Sequence, residues 1–241
     1  MFEAGLWGFG AALALVLGAM VGLAGGVPRR IVALAMAFGA GALISALAYD
    51  LTEDAFAHGG AIAVAGGLAS GALVFFAGDQ MLHQRGAATR GARMKQVGTN
   101  GPAIVLGALL DGIPESVVLG TTLLAGTGIS VPFLAAVFIS NVPEGLSAAA
   151  DLRKEGHRPA WIIGLWVGVA LVSGLASALG YGLLGQMGSA AVPLIQAFAA
   201  GAILTMLADT MIPEAFSEGG DLTGLATVFG FATAFLLSTV S

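Results

Sequence analysis

The stretch "AFGAGALISALAYDLTEDAFAHGG", residues 37–60, aligns without gaps to "AFAAGAILTMLADTMIPEAFSEGG", residues 197–220. Eleven of the 24 positions are identical, among them Phe38/Phe198, Ala55–Phe56/Ala215–Phe216 and Gly59–Gly60/Gly219–Gly220. Matches at phenylalanine and at a glycine pair go beyond the chance likeness of two Gly/Ala-rich helices. The fold then depends on how many other such segments exist, and on which way each copy runs.

Hydrophobic residues make up 57% of the 241 and charged residues 10%, with a mean hydropathy of +0.94. A soluble domain of this size needs a far more polar surface, so the chain is read as an integral membrane protein. It has no cysteine, which excludes disulfides and thiolate metal sites. Its 38 glycines suit membrane helices whose backbones approach closely. The N-terminus lacks a cationic leader, so no cleaved signal peptide is expected.

Crossing ~30 Å of hydrocarbon takes roughly 20 apolar residues. Eight runs qualify, at about 5–27, 31–51, 61–82, 102–125, 131–150, 160–185, 191–213 and 221–241. Helices are expected, because these runs do not form short alternating barrel strands. All nine Lys and Arg residues fall in three connections: Arg29 and Arg30; Arg85, Arg90, Arg93 and Lys95; Arg153, Lys154 and Arg158. With eight spans these connections share one side. The positive-inside rule makes it cytoplasmic and puts both termini outside, in a plasma (bacterial inner) membrane. The longest connection, 83–101, is basic and reads as a topology determinant that suits anionic lipid headgroups.

The two copies lie in the second and seventh segments. Five spans separate them, so they cross in opposite directions, as in an inverted repeat. The first and sixth segments share "GLW", Gly5–Trp7 and Gly164–Trp166. The fourth and fifth form a third antiparallel pair. The expected fold is all-α, one transmembrane domain of eight helices in a 3+2+3 inverted repeat.

The central pair carries the chemistry. "LLDGIPESVVLG" (109–120) is echoed by "FISNVPEGLSAA" (138–149). Asp111 and Glu115 stand at i and i+4, on one helix face. Ser140 and Glu144 repeat the spacing, with Asn141 beside them. Pro114 cannot donate to the carbonyl of Leu110, nor Pro143 to that of Ile139. Carboxylates at membrane depth must be paired, protonated or bound to a cation, and the spans hold no Lys or Arg. A plainer reading has the prolines only kink and the glutamates stay protonated. The doubled motif favours a bound cation or proton.

"IPES" and "NVPEG" resemble the two signature helices of the ZIP (Zrt-/Irt-like) metal transporter family, whose motif reads HNxPEG. "AGAILTMLADTMIPEAF" resembles that family's seventh helix, often AGAMLFVVSHEIIPESH in bacterial members. The resemblance covers essentially the whole chain. It implies divalent-metal transport through a site between the fourth and fifth helices. Carried over position by position, Glu115 and Glu144 match the motif glutamates. Asp111 stands in the place of histidine and Gly112 in that of asparagine, while Ser140 and Asn141 take the corresponding places in the fifth helix. "SGLASALG" puts Ser177 where members often carry glutamate, and Asp209-Thr210 replaces a His-Glu pair. One oxygen-only site is therefore expected, from Asp111, Glu115 and Glu144 with Asn141 and Ser140. Such a set shifts preference from Zn²⁺ toward harder ions, and the cargo is expected among Zn²⁺, Mn²⁺, Fe²⁺ and Cd²⁺.

Outlying acids complete the expectation. Asp50, Glu53 and Asp54 read as a solvated helix end or a metal-collecting entrance. Asp209, Glu214, Asp79 and His83 read as an exit relay. His58, His83 and His157 lie at helix ends or in loops and read as solvated residues rather than ligands. The partners expected are the metal ion and the bilayer, with a homodimer one available assembly and no nucleic acid. No resident cofactor and no enzymatic activity are expected, since a membrane hydrolase would need a nucleophile or histidine base near the carboxylates. A metal sensor that binds without transporting is the main alternative.

Overall fold

The computed structural model describes residues 1–84, 101–125, 128–187 and 191–240, with side chains at 82–84, 101–105 and 125 left aside. The basic connection carrying Arg85, Arg90, Arg93 and Lys95, and the side chain of His83, lie outside the described residues. The described chain is helical, with no strand.

Helix α1 spans Phe2–Ala24 and α2 spans Arg29–Ala46. A π-helical stretch, Leu47–Thr52, joins α2 to α3, Glu53–Gln84. Helix α4 covers Gly101–Thr122, α5 Val131–Lys154 and α6 Pro159–Leu184. Helix α7, Ala191–Met206, passes through a second π stretch, Leu207–Met211, into α8, Ile212–Gly219. Helix α9 is Thr223–Ser238.

Among the described residues, five helical stretches are long and apolar enough to cross a membrane: Phe2–Ala24, Arg29–Met81, Val131–Lys154, Pro159–Leu184 and Ala191–Ser238. The second has 53 residues and the fifth 48. At ~1.5 Å per residue each is more than twice the hydrocarbon thickness, so each must turn. The turns are at Gly60 (φ 73°) and Gly220 (φ 62°), where a left-handed backbone suits only glycine without strain.

The sequence places the ends of these segments near 51 and 213. Instead both helices run on, through the π stretches, to Gly59 and Gly219. Pro213 is tolerated because it stands in the first turn of α8, directly after the π register shift, where a missing N–H matters least. The two π stretches begin at Leu47 and Leu207, and the two positive-φ glycines are Gly60 and Gly220. Both pairs are 160 positions apart, the offset of the aligned stretches.

Packing divides the helices into two groups. One apolar cluster joins α1, α5 and α6 around Leu15, Leu152, Ile162 and Trp166, and takes in Ala108 of α4. The other joins α2, α7 and parts of α3 and α9 around Leu43, Phe75, Ile203 and Leu207. Phe133 and Val137 of α5 and Val118 and Leu119 of α4 belong to this second cluster. Helices α4 and α5 thus stand where the groups meet.

Reciprocal glycine seams hold each group. A Cβ on Gly18 would strike the Val142 carbonyl, and one on Gly145 that of Leu15. The same holds for Gly71 against Phe198 with Gly201 against Leu68, and for Gly41 against Thr227 with Gly230 against Phe38. Without a hydrophobic drive between helices in lipid, this close approach supplies the cohesion.

Polar contacts show which helix ends share a face. Arg29 at the start of α2 lies 3.5 Å from Asp151 near the end of α5 and 3.2 Å from Glu218 at the end of α8. At the opposite end, Ser130 before α5 donates to Asp50 at 3.3 Å, and Gln196 of α7 donates to Asp54 at 3.1 Å.

The seams make a stability prediction. Gly41→Leu and Gly201→Leu drive a side chain into backbone, and overpacking of this kind typically removes about 1–3 kcal/mol or more. Both should lose the monodisperse species in detergent. At Gly66 a Cβ meets nothing within 4 Å, so Gly66→Ala should match the unaltered chain or gain about 0.5–1 kcal/mol. Thermal unfolding and size-exclusion profiles read out both results.

Candidate functional site

Pro114 and Pro143 lie inside α4 and α5, and each precedes a buried glutamate. Glu115 is 3% exposed, Glu144 6% and Asp111 9%. The carboxylates of Glu144 and Asp111 both lie within repulsive range of Glu115. Facing apolar surroundings, such charges require neutralisation.

A small cavity, with room for a single water-sized body, opens beside them. It is lined by Asp111, Glu144, Met36, Met206, Thr210, Met211 and Glu214. Among the described residues, no Lys or Arg lines it. Four elements meet there: α2 supplies Met36, α4 Asp111, α5 Glu144, and the α7–α8 helix the rest. The Ser147 hydroxyl of α5 donates to Glu214 Oε1 at 3.1 Å, which fixes the α8 carboxylate against α5.

The expected ligands divide. Asp111, Glu115 and Glu144 come together, and Glu214 joins them across the cavity. Asn141 is buried nearby on α5 but does not line the cavity. The Ser140 hydroxyl donates to the Val137 carbonyl at 2.9 Å, and the Ser140 backbone packs where a Cβ on Gly39 of α2 would collide. It serves the α2–α5 contact. Among the described residues, no three or more Asp, Glu or His side chains are gathered tightly enough to grip an ion. The arrangement is a set of carboxylates around a cavity rather than a closed shell.

Asp209 is exposed, whereas Thr210 is buried and lines the cavity. Both residues lie in the π stretch, whose wider turn changes which residue of a helix points inward. Asp79 is partly buried on α3, next to Gly78, whose Cβ position approaches Leu110 of α4; it is not in the cavity lining. At the far end Asp50 and Asp54 are partly buried and Glu53 is exposed.

Sequence reasoning missed the three methionines and Ser147. In an apolar helix a methionine looks like any lipid-facing or core residue. Met36, Met206 and Met211 are 3%, 2% and 5% exposed, and only the packing brings them to one cavity. Methionine side chains thus share the lining with the carboxylates.

No family model matches the chain. A protein of Arabidopsis thaliana described as "Putative zinc transporter" is 27% identical over 186 residues, covering 74% of this chain and 29% of that protein. The chain thus spans less than a third of that relative's length. Apolar helices and this likeness together define the class: an integral membrane protein similar to a protein described as a "Putative zinc transporter".

The placement of the α7–α8 residues is testable. Glu214→Gln should slow metal flux into proteoliposomes by about 10-fold, as expected for a group that orients or shares an ion. Asp209→Asn should leave it near the unaltered rate. The reverse order would move Asp209 into the path.

Proposed function

We propose that the chain is a divalent-metal transporter, moving metal into the cytoplasm through the acids between α4 and α5. The observation that carries this reading is Asp111, Glu115 and Glu144 buried together beside a small cavity that Glu214 also lines. The likeness to a plant zinc transporter supports it. Carboxylates with thioethers nearby favour borderline and soft ions, so Zn²⁺ and Cd²⁺ are the preferred cargo over Mg²⁺.

In this reading eight spans form the 3+2+3 inverted repeat, with both termini outside a plasma membrane. The shared offset of the π stretches and turn glycines supports the repeat. The matched seams support it further, since Gly41 and Phe38 of the α2–α9 contact align with Gly201 and Phe198 of the α3–α7 contact. Transport would come from one helix group rocking against the other around the α4–α5 acids. Loading a dication displaces protons from these acids, so uptake should fall as the medium is acidified. Nothing in this scheme requires catalysis.

Zn²⁺ and Cd²⁺ accumulation in proteoliposomes tests the reading. Glu115→Ala and Glu144→Ala should each abolish it while the protein still elutes as a single species. Undiminished flux in both variants would overturn the assignment. Tight binding without flux in the unaltered protein would make it a metal sensor instead.

A further inference from the structure

The offset of 160 that relates the two aligned stretches pairs Gln196 with Met36 and Asp54 with Glu214. Met36 and Glu214 meet at the cavity. Their counterparts meet too, at the end of the molecule opposite Arg29. Gln196 Nε2 donates to Asp54 Oδ2 at 3.1 Å. The other Asp54 oxygen, Oδ1, lies 3.1 Å from His58 Nδ1, one turn further along α3. His58 Nδ1 is also 2.9 Å from the Asp54 carbonyl.

Gln196 is only 3% exposed, and its Oε1 is buried without a hydrogen-bond partner. A buried amide oxygen with no donor is unfavourable. A carboxamide exchanges its nitrogen and oxygen by a half-turn of its last torsion. Turned over, Gln196 would aim that oxygen at the Asp54 carboxylate, and two acceptors repel unless a cation lies between them. His58 can supply a third donor from Nδ1 when its proton is on Nε2. His58 is exposed while Gln196 is buried, so the three groups lead from the surface inward.

We propose that Asp54, His58 and Gln196 form a second cation position, separate from the α4–α5 acids, that takes one borderline divalent ion such as Zn²⁺. Carboxylate oxygen, imidazole nitrogen and amide oxygen together suit that class. The amide donates to Asp54 when the position is vacant and turns over when the ion arrives. This deepens the transport reading by supplying a loading step, but the binding itself does not rest on flux.

The test is Zn²⁺ titration against a chromophoric chelator, on full-length protein carrying Glu115→Gln and Glu144→Gln. One equivalent should still bind. Gln196→Met, which places at 196 the residue found at the matched position 36, should weaken that binding by about 10-fold. Asp54→Asn and His58→Ala should do the same. Gln196→Glu should restore or tighten it, which a merely structural glutamine would not predict. Should the doubly substituted protein not fold, the unaltered chain should lose one bound equivalent on combining Gln196→Met with Asp54→Asn. Residual binding indifferent to all of these changes, or no residual binding in a folded protein, would overturn the proposal. If the intact chain carries no flux yet the binding series holds, the transport reading fails and this position stands.

Discussion

Backbone must touch backbone for this chain to hold together. In lipid the apolar side chains gain little by meeting each other, so helix pairs depend on surfaces that allow intimate contact. Glycine from each partner provides it: Gly18 and Gly145 between α1 and α5, Gly120 and Gly180 between α4 and α6, Gly71 and Gly201 between α3 and α7, Gly41 and Gly230 between α2 and α9. These seams build two groups of helices. Helices α4 and α5 have no comparable seam with each other; each is fastened to a different neighbour. Space for a cavity arises where that fastening stops, and the acids stand there.

The acids also explain why such a place persists. Three carboxylates buried near one another are costly as charges. Protons or a dication can relieve that cost, and the two alternatives compete for the same oxygens.

Much of this was legible in the sequence, for identifiable reasons. Hydropathy marks membrane helices because the bilayer allows few other solutions. The Pro-Glu motifs announce Asp111, Glu115 and Glu144 because acids stand out against an apolar background. Gly59–Gly60 and Gly219–Gly220 stand out in the sequence only as matched positions of the repeat; that the chain turns at Gly60 and Gly220 is seen in the structure. What stayed hidden needed three dimensions. Met36, Met206 and Met211 carry no local signal, since their role depends on which helix faces them. Ser147 reads as one more small residue until it meets Glu214. Ser140 stands at ligand spacing, and the bond its hydroxyl donates to the Val137 carbonyl is not announced by that spacing. Gln196 and Asp54 lie 142 positions apart and touch through the α3–α7 packing alone.

The widened turns at Leu47–Thr52 and Leu207–Met211 have a consequence for anyone comparing this chain with others. A π turn accommodates one residue more than the α turn it replaces, so everything beyond it is rotated by about 100°. Two sequences can then match letter for letter with no gap and still present different faces, if only one of them carries the wide turn. Asp209 and Thr210 stand side by side at the matched positions, and of the two Thr210 lines the cavity while Asp209 is exposed. Across these two stretches, residue correspondence is a matter of helical phase, and a gap of one is a structural statement rather than an alignment error.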